Sequence, residues 1–449
     1  MWVIGTVLSR FYAFGRNGPT LSRRSMSSHL KLKGESIVKD LSLCRHEFPS
    51  LARTGPGGRP LIYLDGPGGS QVPASVITAI SRYYLLHNSN THGLFVTSRE
   101  TDHVVSQARQ HAATLLGAAT ADAISFGQNM TTLNFLLSQA VAEQLAPGDE
   151  IVVTDLDHDS NVAPWLRLER RGIVVRRVPL LSNGKLDLDA FRSLIGAKTR
   201  LVAVGWASNA LGTVNPLWEI RQWADQVGAW LLVDAVHWAP HGVIDVEQLR
   251  PDFLLCSAYK FFGPHIGILY TRPGLLQNLD TLKVRPQSEA PPERIETGTL
   301  NHAALEGVSA AIQFIASLAD NPGDSLRDRI RQAMSHIYHY EHDLAARLYR
   351  GLSAIPGVKL YGPPVGAEDR APTISFTVAG QSAPDVARRL GDRGILSWDG
   401  DFYAVNVVDT LGLRAQGGLV RLGLAPYNTR DEVDRTIGAI TDIAAQAAD

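Results

Sequence analysis

Between about residues 75 and 350, short apolar runs alternate with segments whose apolar residues recur at helical spacing. "PASVITAISRYYLLH" and "ETDHVVSQARQHAATLLGA" carry apolar residues every three to four positions and predict amphipathic helices. "EIVVTDLDHD", "VVRRVPLL", "TRLVAVGWAS", "AWLLVDAVHWAP", "DFLLCSA" and "GILYTR" are short runs rich in Val, Ile and Leu. Runs of that kind predict buried strands of a mostly parallel sheet, with helices such as "PLWEIRQWADQVG" crossing between them. Alternation on this scale is the pattern of a wound α/β domain.

After residue 325 the pattern changes. A long helical segment, "GDSLRDRIRQAMSHIYHYEHDLAARLYRGLSAI", is followed by a strand "APTISFTVAG", a helix "APDVARRLGDRG", a strand "GLVRLGLAPY" and a closing helix "TRDEVDRTIGAITDIAAQA". The expected organisation is therefore a large α/β domain over 31–325, its first residues packing near a small α+β domain formed by 326–449. The chain of 449 residues is 45% apolar and 19% charged, with a net charge of −1. That balance suits a soluble globular protein and offers no basic field for nucleic acid. No apolar run approaches the ~18 residues needed to span a bilayer. Two cysteines, Cys44 and Cys256, are too few and too far apart for a disulfide framework or a paired-thiol metal site. Residues 1–30 carry Arg10, Arg16, Arg23 and Arg24 among serines and no acidic residue. They read either as a mitochondrial presequence or as an extension upstream of a cytoplasmic start at Met26.

In open α/β sheets ligands bind at the carboxyl ends of the strands. Asp234 ends "WLLVD", His158 follows "IVVTDLD", Asn209 follows "LVAVGWAS", and Ser257 and Lys260 follow "FLLC". Each has a bland reading alone: a helix cap, a solvated imidazole, a lysine that snorkels past aromatics. Their joint delivery to one sheet edge is the signal. No GxGxxG follows the first strand, and GxxxxGK[ST], GxSxG and HExxH are absent, so nucleotide, serine-hydrolase and zinc-protease chemistry has no support. A lysine and an aspartate on neighbouring strand ends fit the needs of pyridoxal phosphate, which takes an amine for its Schiff base and a carboxylate beside its ring nitrogen. Thr131 in "NMTTLNF", at the start of an apolar helix, is placed to meet a phosphate.

The chain resembles the class V aminotransferase family of fold-type I pyridoxal phosphate enzymes, close to its cysteine desulfurase branch. The resemblance runs in order through "IYLDGPGGSQVP", "NSNTHG", "DLDHDSNVAPW", "SNALGT", "LLVDAVHWAPH", "CSAYKFFGP", "ETGTLNH" and "VRLGLAPYNTRDEVDR". It implies that Lys260 carries the cofactor, that Asp234 partners its ring nitrogen, and that His158 stacks on the ring. Asn209 would lie near the cofactor's phenolic oxygen and the substrate. Met130, Thr131, Ser257 and, across a homodimer interface, Thr299 would serve the phosphate. Arg421 would grip a substrate carboxylate, work that suits a bidentate guanidinium.

This chain also departs from that pattern. His237 replaces the usual Gln after the aspartate, Tyr259 the usual His before the lysine, and Asn129-Met130 the usual Gly-Thr; each swap keeps a polar group or a backbone amide, so His237 too is expected to contact the cofactor. In the loop that carries the persulfide-forming cysteine of desulfurases, this chain reads "GILSWDGDFYAVNVVDTLGL", with Tyr403 near the expected place. Cys256, on an apolar strand, is expected to be a buried and inert thiol. The resulting expectation is a homodimeric enzyme acting on a small α-amino acid by C–S lysis without a protein persulfide. Transamination, epimerisation and desulfuration onto a small acceptor use the same residues and stay open, as does a cofactor-binding scaffold with little turnover. Trp398, Phe402 and Tyr403 suggest a substrate group bulkier or less polar than a thiol.

Overall fold

The computed structural model describes residues 41–366 and 370–446, which fall within one compact unit. The segment expected to be a presequence or an extension lies outside them. A two-residue strand β1 (Ile62–Tyr63) precedes the seven strands of the main sheet. These are β2 (Ile124–Gly127), β3 (Glu150–Thr154), β4 (Val174–Val178), β5 (Thr199–Gly205), β6 (Trp230–Asp234), β7 (Phe253–Ser257) and β8 (Gly267–Thr271). Their order is β2-β8-β7-β6-β5-β3-β4.

The pairs β4–β3, β3–β5, β5–β6 and β6–β7 are parallel, while β8 runs antiparallel to both β7 and β2. The exception has a simple cause. Parallel neighbours need a crossover of a dozen or more residues, and the link from Ser257 to Gly267 is too short, so the chain returns as a hairpin. Lys260 sits in that hairpin, in a 3-10 turn over Ala258–Lys260. Strand β2 leaves no trace in the sequence periodicity, because four residues between a turn and a helix are too few for alternation to register.

Alternate residues of the central strands enter separate cores, which explains their unbroken apolar runs. Val152, Val204, Val233, Leu254 and Cys256 join one core, and Ile151, Ala203, Leu232, Phe253 and Leu255 join the other. Helices Val96–Leu116, Leu217–Val227 and His302–Ser317 supply the first, and helix Met130–Ala142 the second. The edge strand β4 exposes Arg176 and Arg177, which pair with Glu150 at 2.8 Å and Asp155 at 2.6 Å. Charges there discourage pairing with a further strand.

The carboxyl-terminal part holds β9 (Val358–Tyr361), β10 (Thr373–Val378), β11 (Ile395–Leu396), β12 (Trp398–Gly400) and β13 (Leu419–Gly423). An antiparallel sheet of order β12-β13-β10-β9 forms here, and β1 pairs in parallel with β11. Ile62 and Leu64 accordingly pack in this third core with Ile374, Phe376 and Leu422. Helix Leu326–Ser353 spans both parts. Ile330, Met334 and Ile337 of its stripe enter the first core, and Leu344, Leu348 and Leu352 enter the third. Between them lies Glu341, fully buried, with Oε2 2.8 Å from His241 Nδ1.

A second buried pair ties helix Val96–Leu116 to the main sheet. Arg109 donates from both terminal nitrogens to Glu296 at 2.6 Å, and Glu296 also accepts from Phe126 N at 2.6 Å. Removing one partner strands a buried charge, so Arg109→Ala is expected to cost about 3–5 kcal/mol of unfolding free energy. The exposed pair Arg347–Asp434 has its charges in water, and Arg347→Ala should leave stability nearly unchanged. Denaturant titration of both variants checks this, and equal losses would show that burial does not decide the cost.

Candidate active site

The site lies where β3, β5, β6 and β7 deliver their carboxyl ends, and its central group is the Lys260 amine. Lys260 Nζ donates to the carbonyls of Pro67 and, at 3.1 Å, Gly68. These carbonyls belong to the turn after β1, which lies against β13. A side chain at Gly423 would collide with the Pro67 ring, so the glycine permits the contact. Burial, and next the Arg421 charge, push the Lys260 amine down to about 7, with Asp65 and Asp234 opposing.

Asp234 ends β6, is 8% exposed, and accepts from Val236 N at 2.9 Å through Oδ1. Burial raises its carboxyl to about 6 although Val236 N–H and Lys260 pull the other way. Among the described residues no cation lies within ion-pair distance of it, and Lys260 acts on it only through its field. His158, after β3, accepts at Nδ1 from Ser160 N at 3.1 Å. That bond leaves the proton of the neutral ring on Nε2. Burial and the charges of Lys260 and Arg421 lower the imidazole to about 4, so it is neutral at physiological pH.

Arg421, on β13, is buried. It donates to Asp65 Oδ1 at 2.9 Å and to Asn209 O at 3.2 Å, while its Nε has no partner. The Phe402 ring lies 4.3 Å from its guanidinium carbon. Asn209, in the loop after β5, donates from Nδ2 to Phe402 O at 2.8 Å and holds a buried, unpartnered Oδ1. Tyr403 stacks on His158 with ring centroids 5.3 Å apart and planes 22° apart. A continuous chain of contacts thus runs from His158 through Tyr403, Phe402, Arg421, Asp65 and the Pro67–Gly68 carbonyls to Lys260.

His237 is buried behind this chain, with Nε2 2.9 Å from Thr373 Oγ1 and its ring 5.3 Å from His241. Burial, with the charges of His241, Lys260 and Arg421, holds it well below the usual imidazole range. Ser257 Oγ accepts from Met130 N at 3.0 Å, joining the end of β7 to the start of helix Met130–Ala142. Gly267 lets that helix start approach β8, since a Cβ there would meet the Asn129 backbone. Asn129 caps the helix by accepting from Thr132 N at 2.9 Å, and Thr131 is exposed in the first turn. Thr299 is apart from all of these. It is exposed beside a cavity of about 380 Å³ shared with Tyr84 and Asn90. Tyr259 stacks on His265 at 4.6 Å, facing Gly69.

Cys256 is fully buried, and burial raises its thiol far above the usual range. Cys44 lines a different cavity with Leu41 and Phe314. Neither forms a disulfide.

Two acids in the site have no counterpart among the residues expected from sequence. Asp65 ends the apolar run "IYLD" as Asp234 ends "WLLVD", and the same strand-end reasoning would have found it. Asp157 accepts from Gly205 N at 2.9 Å and from Asn161 Nδ2 at 2.8 Å, locking the end of β5 to the His158 turn. Nothing in "DLDHD" marks which acid is buried.

A sequence model of the family described as aminotransferase class-V matches residues 62–436. A cysteine desulfurase of Serratia proteamaculans is 33% identical over 415 residues, covering 89% of this chain and 97% of that protein. A probable cysteine desulfurase of Mycolicibacterium paratuberculosis is 34% identical over 92% of this chain, which spans 60% of that protein's length. The solved apo structure of a cysteine desulfurase from Thermococcus onnurineus NA1 gives a TM-score of 0.78 at 29% identity, covering 86% of this chain and 95% of that one. The chain belongs to the class V aminotransferase family of pyridoxal 5′-phosphate-dependent enzymes.

Proposed function

We propose that this enzyme cleaves the Cβ–S bond of a sulfur-substituted α-amino acid without passing sulfur to a protein thiol. One observation carries the reading. Tyr403 stands over His158 in the loop that holds the sulfur-accepting cysteine in desulfurases, while the chain's two thiols are Cys256, inside a core, and Cys44, in a separate cavity.

The residues present fit the cofactor. Asp234 is a buried carboxylate lacking a cation, which a protonated ring nitrogen supplies. Lys260 is an amine relieved of its charge near neutrality. His158 offers a neutral planar face. Ser257, the Met130 amide and the exposed first turn with Thr131 form a helix amino terminus suited to a phosphate. Asn209 lies beside Arg421, and His237 is buried behind it against Thr373. When bound, the cofactor holds the substrate amine and draws electrons from Cα.

The protein then has three tasks. Arg421 holds the substrate carboxylate through N–H groups not committed to Asp65 and Asn209 O, and the Asn209 side chain assists. Lys260 Nζ accepts the Cα proton, for which an amine with a pKa near neutrality is suited. The Cα–H electron pair becomes the Cα=Cβ bond as the Cβ–S pair departs with sulfur, and the proton on Nζ is available to the leaving thiolate. Water completes the balance, giving a thiol, pyruvate and ammonium.

Incubation with an S-substituted cysteine should release thiol and pyruvate in equal amounts, and Lys260→Ala should abolish both together with the visible band of the lysine-bound cofactor. A persulfide found on the protein by mass spectrometry after exposure to L-cysteine would overturn the reading. Cofactor uptake by the apoprotein supplies a pH test. Below its pKa of about 7 the amine is protonated and cannot attack an aldehyde. Uptake should therefore rise roughly tenfold per pH unit up to about 7 and then level off. The Asp234 carboxyl, raised to about 6, steepens the fall on the acid side. A rate still climbing above pH 9 would mean an ordinary lysine.

The working form is a homodimer in which Thr299 reaches the phosphate of the partner subunit. The exposed run Leu94, Phe95 and Val96 supports this, since Ser98 Oγ donates to Asn90 O at 2.6 Å and ties the run to the cavity beside Thr299. Light scattering should give twice the chain mass, with Phe95→Asp shifting it towards the monomer.

A further inference from the structure

We infer that Tyr403 and Trp398 form the side-chain subsite of this enzyme, and that its substrates carry a large neutral apolar or aromatic group on sulfur. The inference rests on the C–S lyase reading and names the substrate class for that site. Phe402 and Tyr403 have φ of 56° and 59°, and among the described residues they are the one adjacent pair of non-glycine residues with positive φ. Bulky residues avoid this region, so surrounding bonds must hold the pair there. Those bonds are on both sides. Phe402 O accepts from Asn209 Nδ2 at 2.8 Å, Tyr403 O accepts from Asp159 N at 2.7 Å, and Tyr403 N donates to Asp401 Oδ1 at 3.0 Å.

The strained pair sends two rings to different places. Phe402 is buried over Arg421, covering the guanidinium face and narrowing the carboxylate anchor. Tyr403 is 71% exposed, with one face on His158 and the remainder open to solvent. Trp398 is the cross-strand partner of Arg421, so its side chain rises from the same sheet face, and it is 56% exposed. Two open aromatic rings therefore flank the position to which Arg421 and Lys260 direct the β-substituent of an amino acid. Of the nearby acids, Asp401 lies 3.7 Å from Arg414, and burial raises the Asp159 carboxyl although Arg177 pulls it down. A neutral group, stacked or packed on the rings, is what the subsite fits.

The test is an equilibrium titration of the holoenzyme, following the cofactor band, with L-phenylalanine and L-alanine as non-eliminating probes. Wild type should prefer L-phenylalanine by at least about tenfold, within the range one added hydrophobic contact supplies. Tyr403→Ala should cut that preference to about twofold, Trp398→Ala should reduce it in part, and Tyr403→Phe should keep it. A wild type without preference, or a Tyr403→Ala protein that keeps it while binding both probes more weakly, would overturn the subsite. If L-alanine shifts the band but no S-substituted cysteine yields pyruvate, the lyase reading fails, and with it the sulfur-substituted class.

Discussion

An ammonium buried beside a guanidinium holds its proton only weakly at neutral pH, and this one constraint organises the rest of the site. Lys260 loses solvation by standing in the hairpin between β7 and β8 and meets the field of Arg421. Two acids restrain the shift. Asp65 binds Arg421 directly, and Asp234 faces the lysine from the neighbouring strand. Were both absent, the amine would fall further and Arg421 would be a bare buried cation. Were both close, the lysine would remain an ordinary ammonium. The arrangement balances these opposing terms near neutrality, where an amine serves both as nucleophile and as base.

The topology that makes this balance possible is local. A parallel continuation after β7 would have carried the chain away in a helix, whereas the short return to β8 holds Lys260 in a tight turn at the sheet edge. The opposite wall comes from the far end of the sequence. β13 brings Arg421, and its Gly423 admits the Pro67 ring, so the turn after β1 can present two carbonyls to the lysine. Helix Leu326–Ser353 is rooted in both cores and fixes the spacing of these walls, with His241–Glu341 at the crossing point. That buried pair, 2.8 Å between His241 Nδ1 and Glu341 Oε2, sits where the helix passes from one core to the other.

Much of this is legible in the residues themselves, for a physical reason. Strands apolar on both faces declare themselves as runs, and the polar residue that ends each run lies at the ligand edge. Asp234, Ser257 with Lys260, Asn209 and His158 stand out on that ground. What escapes the sequence depends on contacts between distant segments. Asp65 ends an apolar run as Asp234 does, but its bond to Arg421 joins opposite ends of the chain. The Met130 amide is engaged by Ser257, a bond between residues far apart in the chain. The left-handed pair at 402–403 is invisible because neither Phe nor Tyr signals that conformation. The single reversed strand, β8, follows from the length of its connection rather than from its own apolar pattern.

That strained pair also bears on the proposed lyase reading. A phenol oxygen cannot take up sulfur as a persulfide, so Tyr403 cannot stand in for a sulfur-accepting cysteine. Holding two bulky residues at positive φ costs about 1–3 kcal/mol each, and the hydrogen bonds from Asn209 and Asp159 keep them there. A loop under no demand would relax by placing glycine at these positions, as it does at the adjacent Gly400 turn, where φ is 112°. At these two positions the chain instead carries rings that touch the site. One covers the Arg421 guanidinium and the other the His158 imidazole, which makes the loop a wall of the site in its own right.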